Sequence, residues 1–205
     1  ELAYMGATVL HEDAIFPVRA AGIPVNIKNT NQPEDRGTMI VSESAEHCDH
    51  IITGIAGKKG MSVINIEKDK MNSEIGFGKN VLRALEKSNV SFEHMPSGVD
   101  TMSVVIATEA LAGKETAIID EIKSRVHPDQ IYIESNLALI AVVGRGMKSA
   151  RGTAAILFSA LADARVNIKM IDQGSSELNI IVGVEEEDFE VAIKAIYKRF
   201  IGINQ

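Results

Sequence analysis

Apolar and polar positions follow two recurring patterns along most of this chain. Four segments of alternating or continuous apolar residues predict strands: 61–67, 90–95, 101–107 and 131–134. Two segments with apolar residues three to five positions apart predict helices that each bury one face: 77–85 and 118–126, the second ending before Pro128. Taken in order, these elements predict a βαββαβ unit.

The same pattern recurs 76 positions later without a gap, so that residues 61–107 align with 137–183. Identities at equivalent positions include Met71/Met147, Ser73/Ser149, Gly76/Gly152, Leu85/Leu161, Val90/Val166 and Gly98/Gly174. The second copy predicts strands at 137–144, 166–171 and 178–184, and helices at 152–164 and 189–196. A repeat of this length is one supersecondary unit used twice, which indicates a paired module.

One predicted strand, 51–55, lies before the first copy, whereas the second copy lacks its closing strand. Because unpaired sheet edges are a liability, we predict that 51–55 completes the second unit after a turn at 57–60. The first unit is then an insertion within the second. We therefore assign 61–135 to one domain, and 51–57 together with 136–205 to the other.

The first fifty residues carry a different pattern. Residues 1–22 predict a helix that Pro17 should break or kink and Gly22 should end. Three further elements are predicted after it: strands at 23–27 and 38–41, and a turn-rich loop at 29–37. The polar stretch 42–50 has no apolar periodicity and is predicted to be a linker, which leaves 1–45 as a separate segment.

The composition limits the compartment and the partners. The chain has 205 residues, a net charge of −7 and one cysteine, Cys48, which excludes a disulfide framework and favours a cytoplasmic, reducing compartment. Its longest apolar stretch, 137–143, is far shorter than the ~20 residues of a membrane helix. RNA-binding modules share the βαββαβ order but need aromatic strands and a basic surface, whereas aromatic residues are 4% here. We therefore expect neither a nucleic acid nor a membrane as partner.

Three short motifs are better explained by structure than by chemistry. Residues 54–59 lack the first glycine and the Ser or Thr of a phosphate-binding loop. Residues 47–50 (His-Cys-Asp-His) offer zinc ligands, but four adjacent residues rarely converge on one ion and no second ligand pair lies nearby. The acidic run 185–188 precedes a predicted helix, where negative charge is favourable. We expect no metal and no catalytic residue in this chain.

The segment 71–78, between a predicted strand and a predicted helix, is the strongest candidate for ligand binding. Gly76 and Gly78 allow close backbone approach, and the N–H groups at the start of the following helix suit a carboxylate. Glu93, at the start of a neighbouring strand, offers an anionic partner for an ammonium group. This combination suits an amino acid, particularly a basic one. The alternative is a glycine turn beside an exposed glutamate.

Several strings, in order along the chain, resemble the aspartate kinase family. Three segments resemble the C-terminal end of its catalytic domain: 1–11, 22–25 and 29–38. Residues 142–147 and 173–180 resemble its second ACT domain, and 97–103 resembles the end of its first. The resemblance implies an α+β fold of two ferredoxin-like βαββαβ ACT domains packed together. A C-terminal piece of an α/β amino acid kinase domain precedes them.

The resemblance also implies an activity for the full-length parent, which phosphorylates the β-carboxylate of L-aspartate with ATP and Mg²⁺. The family's Lys-Phe-Gly-Gly-Thr-Ser segment, its aspartate-binding residues and most of its ATP pocket have no counterpart here. Since the chain also opens on Glu1 in mid-pattern, we expect a fragment that is inactive alone and holds no cofactor. Thr8 and Val9 match the family's nucleotide-contacting dipeptide, although Thr8 replaces the usual lysine.

For lysine-sensitive members, the resemblance implies an effector site in the first ACT domain. The matching residues here are Met71, Glu74, Gly76, Phe77, Gly78, Ser91, Phe92, Glu93, Ser97, Gly98 and Val99. Glu93 stands where the family has an aspartate that pairs with the effector's ammonium group. Lys169, at the equivalent position of the second copy, suits a cationic effector poorly. Five second-copy residues are therefore expected to serve ACT–ACT packing or a neutral amino acid: Met147, Gly152, Gln173, Ser175 and Ser176.

The implied function is feedback inhibition by an end-product amino acid, L-lysine or L-threonine. Effector binding at 71–78 is expected to stabilise one ACT arrangement and to bias the kinase through 42–50. A homodimer through the ACT domains is implied as well. One alternative is an ACT pair that only holds kinase subunits together and binds no effector. Another is a separately translated regulatory subunit.

Overall fold

The computed structural model of the chain describes residues 2, 5, 12–41, 51–148 and 150–203. Within these residues the strands are β1 (Val25–Ile27), β2 (Thr38–Ile40), β3 (Gly54–Glu67), β4 (Thr101–Ala107), β5 (Gln130–Val143), β6 (Met170–Asp172) and β7 (Asn179–Glu185). The α-helices are α1 (Glu12–Ala20), α2 (Phe77–Lys87), α3 (Thr108–Leu111), α4 (Glu115–Val126), α5 (Thr153–Asp163) and α6 (Phe189–Ile203). Short 3₁₀ turns occupy Met71–Ser73, Arg145–Lys148 and Glu186–Asp188.

Helix α1 runs through Pro17 to Ala20, so Pro17 does not end the helix. A proline inside a helix removes one backbone hydrogen bond, and the bonds on either side of it continue the turn. The predicted stop at Gly22 is confirmed, because Gly22 has a φ of +68°. The N–H groups of Gly22 and Ile23 bond back to carbonyls of the last turn, at 3.1 and 2.8 Å, which is the usual glycine-terminated helix end.

The predicted strands at 23–27 and 38–41 form a small antiparallel hairpin, β1 and β2, with Asn26 opposite Met39. Its two strands are slightly shorter than predicted. The predicted linker, 42–50, lies outside the described residues.

The main sheet has five antiparallel strands in the order β4-β3-β5-β7-β6. Its two central strands, β3 and β5, are each 14 residues long and serve both sequence repeats. The first part of β3, 54–58, pairs with 139–143 in the second copy, which is the pairing that the insertion hypothesis requires. The rest of β3 pairs with β4 and with the first part of β5. The predicted α+β class with two ferredoxin-like units is confirmed.

The predicted turn at 57–60 was wrong, because β3 continues through it with a change of register between Lys58 and Met61. Gly60 has a φ of +75° there, so this glycine allows a β-bulge rather than a reversal of the chain. Gly57 has another role. A Cβ at Gly57 would lie 2.6 Å from the Leu139 carbonyl oxygen, so only glycine allows this close approach of β3 to β5.

Two predicted strands, 90–95 and 166–171, are mostly irregular. The first makes one isolated bridge to β4, from His94, with another from Ser97 just after it, and the second contains only the first two residues of β6. Both segments lie at sheet edges, where a strand has a partner on one side only. Directly after the first, Pro96 lacks the N–H group that a ladder needs, so apolar composition alone overestimated these strands.

Helices cover one face of the sheet, and each repeat has its own core beneath them. Helices α2 and α4 pack on the first repeat around Ile64, Ile106 and Ile122. Helices α5 and α6 pack on the second repeat around Ile140 and Leu161. The predicted amphipathic helices are therefore confirmed, with their apolar stripes facing the sheet.

A third core lies on the opposite face of the sheet and joins the two repeats. It contains Val63 and Val105 from the first repeat together with Leu139 and Ile181 from the second. Successive strand residues face opposite sides of a sheet, so this core is separate from the two beneath the helices. Its shared composition means that the sheet curls and brings the inner faces of the two repeats together.

The curl brings the two edges of the sheet into contact. His94 lies in the segment that borders β4 at one edge, and Asp172 lies in β6 at the other. The distance between His94 Nδ1 and Asp172 Oδ2 is 2.8 Å. The two repeats therefore touch along their polar edges as well as through the third core.

Candidate functional site

The segment 71–78 leads from β3 into α2 and is anchored by two apolar side chains. Met71 and Phe77 are each 4% exposed and belong to the core of the first repeat. Between them the backbone is exposed, and Gly76 takes a φ of +84° at the N-cap position of α2. Among the described residues, no side chain caps this helix. The Phe77 N–H donates to the Glu74 carbonyl at 3.2 Å, so it is the N–H groups of Gly78 and Lys79 that make this helix start a place where a carboxylate would be favourable.

The turn at 97–99 lies directly against this segment, as the predicted site requires. The Asn72 N–H donates to the Val99 carbonyl at 3.0 Å, and the Lys70 N–H donates to the Asp100 carboxylate at 2.8 Å. Gly98 closes the turn by donating to the Thr101 carbonyl at 2.7 Å. The turn contributes Ser97, Gly98 and Val99, and the loop contributes Met71, Glu74, Gly76, Phe77 and Gly78. The structure thus brings together eight of the eleven candidate residues.

Glu74 is held by a lysine of the same end of the sheet. The Lys68 ammonium group forms an ion pair with the Glu74 carboxylate and donates to the Val126 carbonyl at 2.5 Å. It also lies 5.8 Å from the centre of the Phe77 ring. The Glu74 charge is therefore balanced within the protein, and the loop is tied to the end of α4.

Ser91 and Phe92 line an open groove between α2 and the segment 90–92. The groove has a volume of about 560 Å³ and is otherwise lined by Lys79, Leu82, Arg83, Leu85, Glu86 and Val90. Its Phe92 ring is 41% exposed. These two candidates therefore flank α2 on a groove of their own rather than line the loop at its N-terminus.

Glu93 is not beside the loop. Its N–H donates to the Val105 carbonyl at 2.8 Å, whereas the loop residue Gly78 lies near Met102, three residues or ~10 Å further along β4. Its carboxylate forms an ion pair with Lys58 at 2.8 Å and is 14% exposed. The place expected for an effector's ammonium group is thus taken by a lysine of β3.

Lys58 is the residue that the reasoning from sequence missed. It lies in the segment predicted to be a turn, and such a segment predicts no partner across the sheet. One signal was present in the repeat: Lys58 and Glu134 are 76 positions apart, as are Glu93 and Lys169. Both pairs reverse their charge between the two copies.

The second copy repeats the loop without the same electrostatics. Met147 is buried at 5% exposure, and Gly152 takes a φ of +88° at the N-cap position of α5, again with no cap from a side chain in the described part of the chain. The exposed residues Gln173, Ser175 and Ser176 form a turn at the same end, where the Gly144 N–H donates to the Leu178 carbonyl at 2.9 Å. Both repeats therefore present a glycine-capped helix beside a turn.

Lys169 occupies the position of Glu93 and binds two carboxylates, those of Glu134 and Glu185. Hydrogen bonds to Glu134 and then to Glu185 raise the pKa of the Lys169 ammonium group. Elsewhere, hydrogen bonds from Lys87 and then Arg125 lower the pKa of the Glu121 carboxyl group. The charged form of each group is therefore the one that the fold stabilises.

Other candidate residues lie outside the described part of the chain. These are the nucleotide-contacting pair Thr8 and Val9 and the histidine- and cysteine-containing run 47–50. Within the described residues, no three His, Cys, Asp or Glu side chains are grouped closely enough to hold a metal ion. Among the helices of those residues, none is both long and apolar enough to cross a membrane.

Comparison with known proteins agrees with this geometry. The ACT domain family matches residues 140–200. Aspartokinase 3 of Bacillus subtilis is 42% identical over 98% of this chain and 44% of its own length. A crystal structure of Clostridium acetobutylicum aspartate kinase is 56% identical and has a TM-score of 0.87 over 94% of this chain and 45% of that one. Escherichia coli aspartokinase III, solved in complex with lysine and aspartate, shares the fold, with a TM-score of 0.75 at 22% identity.

Two repeats of this fold, each with a glycine-capped helix beside a turn, define a tandem ACT-domain protein. The chain belongs to the aspartate kinase family, and it corresponds to a C-terminal part of the family's members. It spans less than half the length of the relatives named above.

Proposed function

We propose that this chain is the regulatory part of an aspartate kinase and binds an end-product amino acid, L-lysine, as a feedback inhibitor. The full-length enzyme would transfer a phosphoryl group from ATP, with Mg²⁺, to the β-carboxylate of L-aspartate in the cytoplasm. The chain alone would be inactive. Residues 61–135 would form the first ACT domain, inserted into a second made of 51–57 and 136–205, and 1–45 would end the kinase domain.

The observation that carries this proposal is the junction of the loop 71–78 with the turn 97–99. Asn72 and Val99 are joined by a backbone hydrogen bond of 3.0 Å at the uncapped N-terminus of α2. The Phe77 N–H donates to the Glu74 carbonyl at 3.2 Å, whereas the next two N–H groups of α2, those of Gly78 and Lys79, have no backbone partner among the described residues and are proposed to receive the effector carboxylate. The ammonium groups of a basic amino acid need carboxylate or carbonyl partners, and Glu93 is proposed as one of them after release from Lys58.

The inhibition would follow from thermodynamic linkage between effector binding and the arrangement of the two ACT repeats. An effector shifts an equilibrium only by as much as its affinity differs between the two states. Displacing Lys58 from Glu93 would alter a contact between the two repeats, so binding and repeat arrangement would be coupled. The ACT domains of two chains would associate as a homodimer, and 42–50 would transmit the change to the kinase.

The Lys58–Glu93 ion pair also favours a second candidate function. Because the Glu93 carboxylate already has a partner at 2.8 Å, the ACT pair could serve only to hold subunits together and bind no effector. In that case the oligomer would form with or without amino acids.

Thermal unfolding in the presence of amino acids separates the two functions. A ligand that binds only the native state raises the melting temperature as its concentration rises. We expect L-lysine to do so and D-lysine to have no effect, with L-threonine tested alongside. Sedimentation velocity on the same samples reports the oligomer. An unchanged melting temperature with both L-amino acids and an unchanged oligomer would favour the purely structural role.

A further inference from the structure

Among the side-chain contacts that join the repeats in the described part of the chain, two ion pairs are equivalent under the internal repeat. In the first, Glu93 of the first copy meets Lys58, at 2.8 Å, in the part of β3 that pairs with the second copy. In the second, Lys169 of the second copy meets Glu134, in the part of β5 that pairs with the first copy. Positions 93 and 169, like 58 and 134, are 76 residues apart.

The charges of the two pairs are opposite at every equivalent position. The first repeat supplies two carboxylates, Glu93 and Glu134, and the second supplies two ammonium groups, Lys58 and Lys169. The four side chains are partly shielded from water, with exposed fractions between 14% and 33%. Coulombic interactions at such positions are screened less than on an open surface. At these four positions the first repeat is therefore acidic and the second is basic, although Lys169 also pairs with Glu185 of its own repeat at 3.0 Å.

Like repeats cannot reproduce this complementarity. Two first repeats placed in the same geometry would set Glu93 against Glu134, and two second repeats would set Lys169 against Lys58. Opposite charges across paired strands are stabilising, whereas like charges directly opposite are destabilising. An arrangement that attracts the correct partner and repels the wrong one is how interfaces gain specificity.

We propose that these four residues form a pairing code that makes the first repeat pack against the second in the geometry seen within the chain, and that disfavours this same packing between two first repeats. The surface formed by Glu93 and Glu134 fits a repeat of the opposite charge, which here is the second half of the same chain. The code matters because the two repeats have closely similar folds. During folding at high concentration, a repeat of one chain meets like repeats of other chains. The apolar contacts of the third core alone would not discriminate against such pairing.

The first test asks whether the pair stabilises the fold. The variants Glu93→Lys and Lys58→Glu each place like charges together and should lower the melting temperature, whereas the double variant K58E/E93K should recover most of the loss. The control is the exposed pair Glu190 and Lys194, 3.8 Å apart on one helix, where the same exchange should change little. No recovery in the double variant would overturn the ion pair's role.

The second test asks whether the charges specify the partner. All proteins carry Glu185→Gln, which leaves Glu134 as the carboxylate that pairs with Lys169. In K58E/E93K each repeat bears one charge of each sign, so the ion pairs within the chain remain but like repeats no longer repel. In the fourfold variant K58E/E93K/E134K/K169E the code is restored with all signs reversed.

Each protein is unfolded and refolded at high concentration, and its assemblies are measured by sedimentation velocity. Relative to the parent, K58E/E93K should form roughly tenfold more of the larger, interchain species, and the fourfold variant should return to the parent's level. Equal amounts in all three proteins would overturn the code. No amino-acid ligand is present, so this result is independent of the proposed effector binding.

Discussion

At the scale of single residues, the proposed effector site depends on whether the Glu93 carboxylate becomes available to an ammonium group. It is paired with Lys58 at 2.8 Å, so an incoming ammonium group has to replace one that is already there. The apparent affinity of a site that is only partly available is reduced by the available fraction. Effector binding should therefore depend on Lys58 as well as on Glu93.

Two substitutions test this dependence. Glu93→Gln should weaken L-lysine binding about tenfold or more, because it removes a charged hydrogen-bond partner. Lys58→Met should strengthen binding several-fold, since the competing ammonium group is gone while the length of the side chain is kept. Calorimetric titration of both variants gives the two affinities. If neither variant differs from the parent, Glu93 is not part of the effector site.

A second residue-scale prediction concerns Glu121, whose pKa is lowered first by Lys87 and then by Arg125. A carboxyl group with a lowered pKa in the folded state stabilises the fold above its unfolded pKa. That contribution is lost as the pH falls through the lowered value. Glu121→Gln should therefore reduce the melting temperature near pH 7, and the difference from the parent should shrink as the pH falls below the ordinary pKa range of a glutamate carboxyl group.

Scanning calorimetry across this pH range measures the effect. Glu190→Gln, in an exposed pair on α6, is the matched control and should change little at either pH. A difference for Glu121→Gln that is constant with pH would contradict the ionic origin of the contribution.

At the scale of elements, the strand β3 depends on glycines that let neighbouring backbone come close. A Cβ at Gly144 would lie 2.5 Å from the Ile51 carbonyl oxygen and 2.6 Å from the Ile52 Cα. Both of these atoms are backbone, so neither can move aside as a flexible side chain would. The chain that leads into β3 therefore passes over the end of β5 only because residue 144 is glycine.

Gly144→Ala should accordingly lower the free energy of unfolding by about 1–3 kcal/mol, the usual cost of overpacking. Gly174→Ala is the control, because the nearest atom to its Cβ would be Ser176 Oγ at 3.9 Å. Urea unfolding of both variants measures the difference. Equal stability of the two variants would show that the segment 51–53 can shift without cost.

The elements also show how far sequence patterns reach. Helices α2 and α5 were predictable because apolar residues recurring every three to four positions are typical of a helix that buries one face. The prediction of a turn at 57–60 was wrong. Glycines that allow a β-bulge or a close approach of two strands cannot be distinguished in the sequence from glycines that reverse the chain. The edge segments 90–95 and 166–171 have strand-like composition, but whether a strand forms depends on a partner that the local sequence does not contain.

The same limit applies to the candidate site. The resemblance to the aspartate kinase family placed the loop 71–78 and the turn 97–99 in one site, and the two lie side by side in the structure. The partner of Glu93 could not be found locally, because Lys58 reaches it only through the curl of the whole sheet. Only the charge reversal between copies carried that information.

At the scale of the whole molecule, the two repeats behave as unequal halves of one unit. They share two long strands and a third core, and their edges meet at His94 and Asp172. A ligand at the first repeat therefore acts on a structure in which the second repeat is already engaged. This architecture suits a regulatory part that converts binding at one loop into a change of arrangement.

The most direct test of that view is isothermal titration calorimetry of this chain with L-lysine. The proposal predicts saturable binding at one site per chain, and Gly76→Ala should weaken it, because the left-handed N-cap of α2 favours glycine. The absence of binding heat with L-lysine, over several temperatures and with a chain that is folded by circular dichroism, would contradict the proposed lysine site.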